Sequence, residues 1–545
     1  PVVEEANRAA PAFAKIFKEM VIITDPARPL PRAAKGTIVR KQALAVYERE
    51  INNLYATVEQ SGNTENIPPP PSWTVPDVQA WLQKHACILT NRDTIPPSKD
   101  LFDQGFDSLY ATFLRNRIIG ALRADPETRP SARHVSQNFV FEHPTLRNLA
   151  IAIGILTGQD VHSGAGAGAA RGAWEESVRA MVDKYAADLP AAAAAAAAEG
   201  QRDGREVAVL LTGSTGAVGA HILASLLANP RIGKVYTLNR KARVTYDRQQ
   251  TAFTERSLDP WLLEAPKLVQ LTGDLNDDGF GLRPRVFEEL KTGVTHVIHN
   301  AWHVDFNRAL DAFECHVAGT RRLLDFCSGS SSSSSSAAAA RSRPARLLFT
   351  SSVSATYRWD VARGPVPEEA LPDPRVAAAN GYGASKFVVE QVLARAAARG
   401  LECTAIRLGQ VCGPEASGAW SAQDWLPILV KTSVNLGSFP DLTGTVSWAP
   451  ADVVADTFVD LVLSAARLPP TLNLVHPHPV EWRAVVRALN ASLGSRGRRH
   501  SPLPVVPYAA WLAAVAALPM TSFNMDRFVR TLLPFSSPVL WPFDV

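Results

Sequence analysis

The sequence predicts a multidomain chain of 545 residues, a small α-helical bundle followed by a larger α/β domain on a doubly wound parallel sheet. Three observations carry that expectation. From about residue 205, short apolar β-branched runs alternate with segments of helical periodicity. The first run ends in a glycine loop that opens into a helical segment. Upstream, between a proline-rich and an Ala/Gly-rich tract, apolar residues recur mostly at helical spacing.

Low-complexity tracts set the boundaries. "NTENIPPPPSW" (63–73) reads as a semi-rigid spacer. "SGAGAGAARGA" (163–173) and "AAAAAAAAEG" (191–200) flank a short helical piece, and 158–204 is expected to be a flexible linker. "SGSSSSSSSAAAA" (328–340) offers almost nothing to bury and reads as a surface insertion. The cuts leave an N-terminal piece (1–60), a helical domain (74–157) and a large domain (205–545).

Composition excludes several classes. A net charge of +4, with only the short run "RGRRH" (496–500), gives no footprint for nucleic acid. Cys87, Cys315, Cys327, Cys403 and Cys412 form no CxxC pair and no zinc pattern, which fits a reducing, cytoplasmic setting. No apolar run is long enough to span a membrane, and "YAAWLAAVAALPM" (508–520) reads as a buried helix. The chain shows no signal peptide and opens without an initiator Met, in what reads as mid-domain; it is expected to be a piece of a longer protein.

In the helical domain, "VPDVQAWLQKHA", "SLYATFLRNRIIGAL" and "TLRNLAIAIGIL" are the predicted helices. Tyr110, Phe113, Leu114 and Ile118 follow Ser108 at helical spacing, so Ser108 sits at a helix N-terminus. Taken alone, it reads as a cap. Phe102, Gly105, Asp107, Ser108 and Leu109, with Phe141 and Pro144-Thr145-Leu146 near the end, resemble a peptidyl or acyl carrier domain. By that resemblance Ser108 carries 4′-phosphopantetheine, attached by a separate phosphopantetheinyl transferase. The positive end of a helix favours the resulting phosphodiester.

In the large domain, "EVAVLLTGS", "KVYTLNR", "KLVQLTGD", "THVIHNA", "ARLLFTSS" and "CTAIRLGQ" are the predicted strands. "TGSTGAVG" places Gly213, Gly216 and Gly219 between the first strand and "AHILASLLAN". The first glycine serves a tight turn, the second lets a pyrophosphate approach, and the third lets helix and strand pack. The loop Gly213-Ser214-Thr215-Gly216-Ala217-Val218-Gly219 is therefore a candidate dinucleotide site. Arg240, with Lys241, follows the second strand, where a cation suits a 2′-phosphate and favours NADPH over NADH. Asp274-Leu275 resembles the adenine-contacting pair of extended short-chain dehydrogenases. Asn300-Ala301-Trp302 in "IHNAWHV" resembles the segment along the cofactor ribose. His299 and His303 nearby are read as structural.

"NGYGASK" puts Tyr382 and Lys386 at i and i+4, on one helix face. Lys386 is expected to lower the tyrosine pKa through its charge and to reach the nicotinamide ribose. A hydroxyl at the end of the preceding strand polarises a carbonyl. Alignment of "TSSVSA" with the extended-family pattern picks Ser352, with Ser351 as the alternative.

A carrier ahead of an extended short-chain dehydrogenase resembles the thioester reductase module of carboxylic acid reductases, α-aminoadipate reductases and nonribosomal-peptide-synthetase-like enzymes, most of all the fungal ones. "VSWAPADVVADTFVDLV" (446–462) resembles that family's return from the substrate subdomain, placed mainly in 411–545. Residues 1–60 resemble the end of an adenylation domain, and Lys35 of "AKGTIVR" is placed as its adenylate-contacting lysine, although the spacing departs from the common form. The resemblance implies NADPH reduction of a carrier-bound acyl thioester to an aldehyde. ATP and magnesium would act only at an adenylation lobe outside this sequence. The alternatives are a redox-neutral cyclising release, or a non-enzymatic carrier scaffold with an inactive dinucleotide domain.

Overall fold

Apolar residues at helical spacing upstream of residue 160 do fold as helices. The computed structural model describes residues 21–31, 38, 40–51, 68–90, 92–97, 101–102, 104, 106, 108–135, 139–157, 165–190, 206–240, 245–306, 308–328, 344–378, 380–422, 424–495 and 501–516. It falls into two units, Pro1–Trp174 and Glu175–Val545.

The first unit contains α1 (Arg40–Val46), α2 (Val75–Thr90), α3 (Ser108–Ala124), α4 (Phe139–Glu142) and α5 (Leu146–Leu156). On α2 the buried residues are Val78, Trp81, Leu82, His85 and Ala86, a single apolar stripe. They share a core with Leu101, Leu114, Ile118, Val140, Leu146 and Leu149. The two ends of the carrier-like signature meet: the Leu101 amide donates to the Pro144 carbonyl at 2.7 Å. The end of the proline-rich tract is also pinned. Trp81 Nε1 donates to the Pro68 carbonyl at 2.8 Å, and Trp73 Nε1 donates to Asp125 at 2.6 Å.

The second unit begins within α6 (Ala165–Ala186). Its centre is a seven-stranded parallel sheet. The strands are β1 (Val207–Thr212), β2 (Ile232–Asn239), β3 (Leu268–Thr272), β4 (His296–His299), β5 (Arg346–Ser352), β6 (Cys403–Leu408) and β7 (Thr471–Leu474). Their order across the sheet is β7-β6-β5-β4-β1-β2-β3. This is the doubly wound sheet expected from the alternating pattern. The crossover helices are α7 (Ala217–Ala228), α8 (Thr245–Glu255), α9 (Pro284–Gly293), α10 (Glu314–Ser328) and α11 (Gly381–Ala398). Strands β1, β5 and β6 are buried almost throughout, as strands covered on both faces must be. Strand order reverses between β1 and β4, and such a switch point opens a crevice at the carboxyl ends of the strands.

The C-terminal region adds α12 (Trp425–Leu436), α13 (Ala451–Leu463), α14 (Trp482–Ser495) and α15 (Tyr508–Ala516). Leu426, Leu429, Phe439, Trp482, Val486 and Trp511 form a core of their own. Helix α13 instead joins the core beneath the sheet through Val454, Ala455, Phe458 and Val462.

One expectation needs correction. Residues 175–190 lie inside the predicted linker but are bound to the second unit. Val178, Val182 and Leu189 are buried. Lys184 Nζ and the Tyr185 hydroxyl both donate to Glu314, at 2.6 and 2.9 Å, and Arg395 pairs with Asp183 at 2.8 Å. Arg321 donates to the carbonyls of Tyr185, Ala187 and Asp188, closing the end of α6. The short helical piece read between the Ala/Gly-rich tracts is this docked part of α6. The remainder of 158–204, apart from the start of α6, lies outside the described residues, as do the serine tract beyond Ser328 and Lys241.

Candidate active site

The dinucleotide-type cradle is built of backbone. Gly213 has φ +74°, and a Cβ there would lie 2.7 Å from the Ala301 amide nitrogen. A Cβ on Gly219 would lie 2.1 Å from the Gly213 carbonyl oxygen. Both glycines are thus imposed by the chain itself. Gly216 differs: a Cβ would meet nothing nearer than 3.4 Å, and the residue is exposed. It stands at the N-cap of α7, between half-buried Thr215 and exposed Ala217, with Val218 half-buried further along. A cradle with this room at a helix N-terminus fits a pyrophosphate.

Around the cradle, Asn300 Nδ2 donates to the Gly213 carbonyl at 3.2 Å, and the Ala301 amide donates to Thr212 Oγ1 at 3.1 Å. Arg240 is exposed just past β2. Asp274 accepts from the Asn276 amide and side chain at 2.9 and 3.0 Å, and Leu275 lies against Gly319. Both Arg240 and Asp274 act electrostatically on His316 of α10. The Ser214 hydroxyl does not line the cradle: it is buried and donates to Gln249 at 2.7 Å, with Asn239 Nδ2 donating back to it at 2.9 Å. It fixes the loop from beneath.

The catalytic candidates converge at the ends of β5 and α11. Burial pushes Tyr382 up to about 12, and the neighbouring Ser352 hydroxyl opposes that rise. Phe306 and Phe313 pack edge-on against its ring at 5.0 and 6.2 Å. Lys386 is also buried, and its Nζ donates to the Thr350 carbonyl at 2.6 Å. Burial holds its pKa well below the usual lysine range, while Glu390 pulls it back up. The expectation that Lys386 lowers the tyrosine pKa is corrected for the resting site: desolvation dominates the neutral Tyr382, while the Lys386 ammonium donates to Thr350 and keeps its charge near the ring.

The structure separates the two neighbouring serines. Ser351 turns away and donates to Glu390 Oε1. Glu390 pairs with Arg407 of β6 at 2.8 Å, both side chains 1% exposed. Arg407 also donates to the carbonyls of Pro367 and Glu369, at 3.0 and 2.9 Å. Ser352 faces the tyrosine and also accepts from the Ser354 amide at 3.1 Å, capping the turn after β5. Glu390 and Arg407 were missed from sequence, although Glu390 lies one turn past Lys386 on a face otherwise apolar, a detectable signal. His299 is structural: it bridges Thr212 and Thr320 at 2.9 and 3.0 Å, and burial pushes it down to about 3. His303 sits 3.6 Å from Asp305 in the open.

Trp302, predicted along the cofactor ribose, lies over Lys386, its ring centroid 4.2 Å from Nζ. Its buried Nε1 and the Thr350 Oγ1 have no partner among the described residues. Such orphans beside Lys386 fit a polar ligand at this end of the crevice. In the first unit, Ser108 opens α3 as expected, while Lys35 lies outside the described residues. Among the described residues no helix is long and apolar enough to cross a membrane.

Comparison with known proteins agrees with this geometry. The family described as "Male sterility protein", an NAD-binding family, matches residues 211–458, and "AMP-binding enzyme C-terminal domain" matches residues 1–59. Adenylate-forming reductase Nps11 of Serpula lacrymans var. lacrymans is 40% identical over 94% of this chain and 46% of its own length. A carboxylic acid reductase of Neurospora crassa is 29% identical over 94% of this chain and 47% of its own. The terminal R domain from the myxalamid PKS-NRPS pathway superposes with a TM-score of 0.52 and 26% identity, over 65% of this chain and 86% of that one. A thiolation-reductase di-domain from an archaeal non-ribosomal peptide synthetase shares the fold, with a TM-score of 0.50 and 19% identity, over 87% of this chain and 95% of that one. The chain spans about half the length of the curated relatives it matches, and it belongs to the adenylate-forming reductases, carrying their nicotinamide-dinucleotide-binding domain.

Proposed function

We propose that this chain is the releasing part of a carboxylic acid reductase, in which NADPH reduces a carrier-bound acyl thioester to an aldehyde. The observation that carries the reading is the convergence of Ser352, Tyr382 and buried Lys386 at the ends of β5 and α11, in the domain that holds the glycine loop. Residues 1–60 are then the end of an adenylation domain, 74–157 the carrier and 205–545 the reductase, with 411–545 shaping the acyl site. A phosphopantetheine placed on Ser108 by a transferase would present the acyl group; ATP and magnesium belong to the activation of the acid, outside this chain.

Gly216 and the α7 amides would hold the pyrophosphate, and Arg240 the 2′-phosphate. Bound NADPH would supply the hydride to the thioester carbonyl carbon. Ser352 donates a hydrogen bond to the carbonyl oxygen as it gains negative charge. Tyr382, kept protonated by its burial, delivers a proton to that oxygen. The Lys386 ammonium, 5.7 Å from the Tyr382 ring centroid, would stabilise the tyrosinate once it forms. As the carbon–sulfur bond breaks, the new hydroxyl gives up its proton and the leaving sulfur takes one up, releasing aldehyde and free thiol, and Tyr382 regains its proton from solvent.

The test follows NADPH absorbance with a panel of acyl-pantetheine thioesters, comparing this chain with Tyr382→Phe. Turnover that falls about 10²–10⁴-fold in the variant, with NADPH binding retained, is the expected result. NADPH binding without turnover on any thioester overturns the reductive reading.

A further inference from the structure

The Lys386 ammonium is a buried charge, with the residue 2% exposed. Water is replaced on several sides by aromatic rings. The centroids of Trp302, Phe349 and Tyr382 stand 4.2, 4.5 and 5.7 Å from Nζ. A ring face attracts a cation through its quadrupole, indole most strongly, and the attraction grows when water is excluded. Trp302 is both the nearest ring and the best of the three faces. It is braced from behind: His316 lies 4.9 Å away at 33° to the indole, with Phe349 at 5.4 Å and His299 at 6.0 Å.

We propose that Trp302 is a positioning residue, whose indole face holds the Lys386 ammonium charged and in place behind Tyr382. The inference rests on the reductase reading, in which that charge is used.

The groups around the ammonium make its charge the one that limits activity. Glu390, one turn along α11, favours the charge and is itself paired with Arg407 of β6. His299 of β4 and His316 of α10 oppose it when protonated, but burial pushes them down to about 3 and about 4, so both are neutral near pH 7. Tyr382 is pushed up to about 12 and stays protonated through the alkaline range. Lys386, held below the ordinary lysine range, therefore titrates first as pH rises. The charged form is present below its folded pKa and lost above it. Removing the indole face withdraws support from the charged form, lowers that pKa further, and moves the alkaline loss of turnover to lower pH. A desolvated cation–π contact corresponds to a shift of about one pH unit.

The experiment compares the full chain with Trp302→Leu and Trp302→Phe. Turnover with an acyl-pantetheine thioester is recorded across the neutral and alkaline range, and Lys386 is titrated directly by NMR with isotope-labelled lysine, its signal identified by loss in Lys386→Met. The expected result is a downward move of both the lysine titration and the alkaline limb in Trp302→Leu, by about one pH unit, with most of it recovered in Trp302→Phe. An unchanged lysine titration, with turnover reduced by the same factor at every pH, overturns the proposal. A shifted titration in a chain that turns over no thioester sustains the positioning role and refutes the reductase reading instead. Thermal melting of each variant separates either outcome from failure to fold.

Discussion

At the carboxyl edge of the sheet, one half of the site is made of backbone and the other of buried side chains. On the β1–α7 side, Gly213 and Gly219 let the turn press against Ala301 and against itself, and Gly216 leaves a space. On the β5–α11 side, Ser351, Glu390 and Arg407 lock a strand, a helix and the 367–369 loop into one buried network, on which Ser352, Tyr382 and Lys386 are mounted. The cradle needs small residues and tolerates little added volume. The catalytic half needs its charges to remain paired.

That difference sets the largest expected effect. In Arg407→Ala, Glu390 stays buried with its main partner gone, at a cost of about 3–5 kcal/mol of stability. Melting temperature and denaturant midpoint should both fall. A variant that melts like the parent would show the network to be dispensable, and the contrast between the two halves would fail.

The adjacent serines sharpen the comparison within the catalytic half. Ser352→Ala removes the hydroxyl that acts on Tyr382 and caps the Ser354 amide, so kcat should fall about 10²–10³-fold with about 1 kcal/mol of stability lost. Ser351→Ala removes one bond to Glu390, which keeps Arg407, so stability should fall by about 1 kcal/mol with little change in kcat. Reversed results would mean that the serines have been assigned the wrong way round.

The two halves were not equally legible in the sequence. A cradle shaped by steric exclusion writes itself as glycines at fixed spacing, and the strand–loop–helix context was recoverable from apolar periodicity. Tyr382 and Lys386 are four residues apart and were equally plain. The network beneath them joins residues from 351 to 407, and nothing local marks Arg407 as a partner of Glu390. The anchoring of the Ser214 side chain was hidden for the opposite reason. The serine sits inside the glycine motif, yet its partners Asn239 and Gln249 come from β2 and α8. The docked end of α6 was masked by composition: alanine on both sides conceals the few apolar residues that bury, Val178, Met181 and Val182. For Ser108, sequence carries more than structure, since the loop ahead of α3 lies largely outside the described residues.

Within the cradle, the glycines themselves divide. Gly219→Ala places a Cβ against the Gly213 carbonyl and should cost about 1–3 kcal/mol in stability, along with NADPH binding. Gly216→Ala has room in the protein and should fold and melt like the parent. Its methyl enters the space assigned to the pyrophosphate, so the KM for NADPH should rise while melting is unmoved. Equal melting and unchanged KM for Gly216→Ala would show that no ligand approaches there.

The smallest effect expected belongs to Arg240, because it is exposed and its charge is screened. A surface cation beside a 2′-phosphate contributes about 1 kcal/mol, a shift of roughly tenfold in cofactor preference or less. Arg240→Ala should raise the KM for NADPH by that factor and leave the KM for NADH alone, because NADH lacks the phosphate that the guanidinium would contact. Raising ionic strength should weaken NADPH binding to the parent and barely affect the variant. If both cofactors lose affinity equally, Arg240 shapes the end of β2 rather than reading the phosphate. The backbone-built half of the site would then bind dinucleotides without discriminating between them.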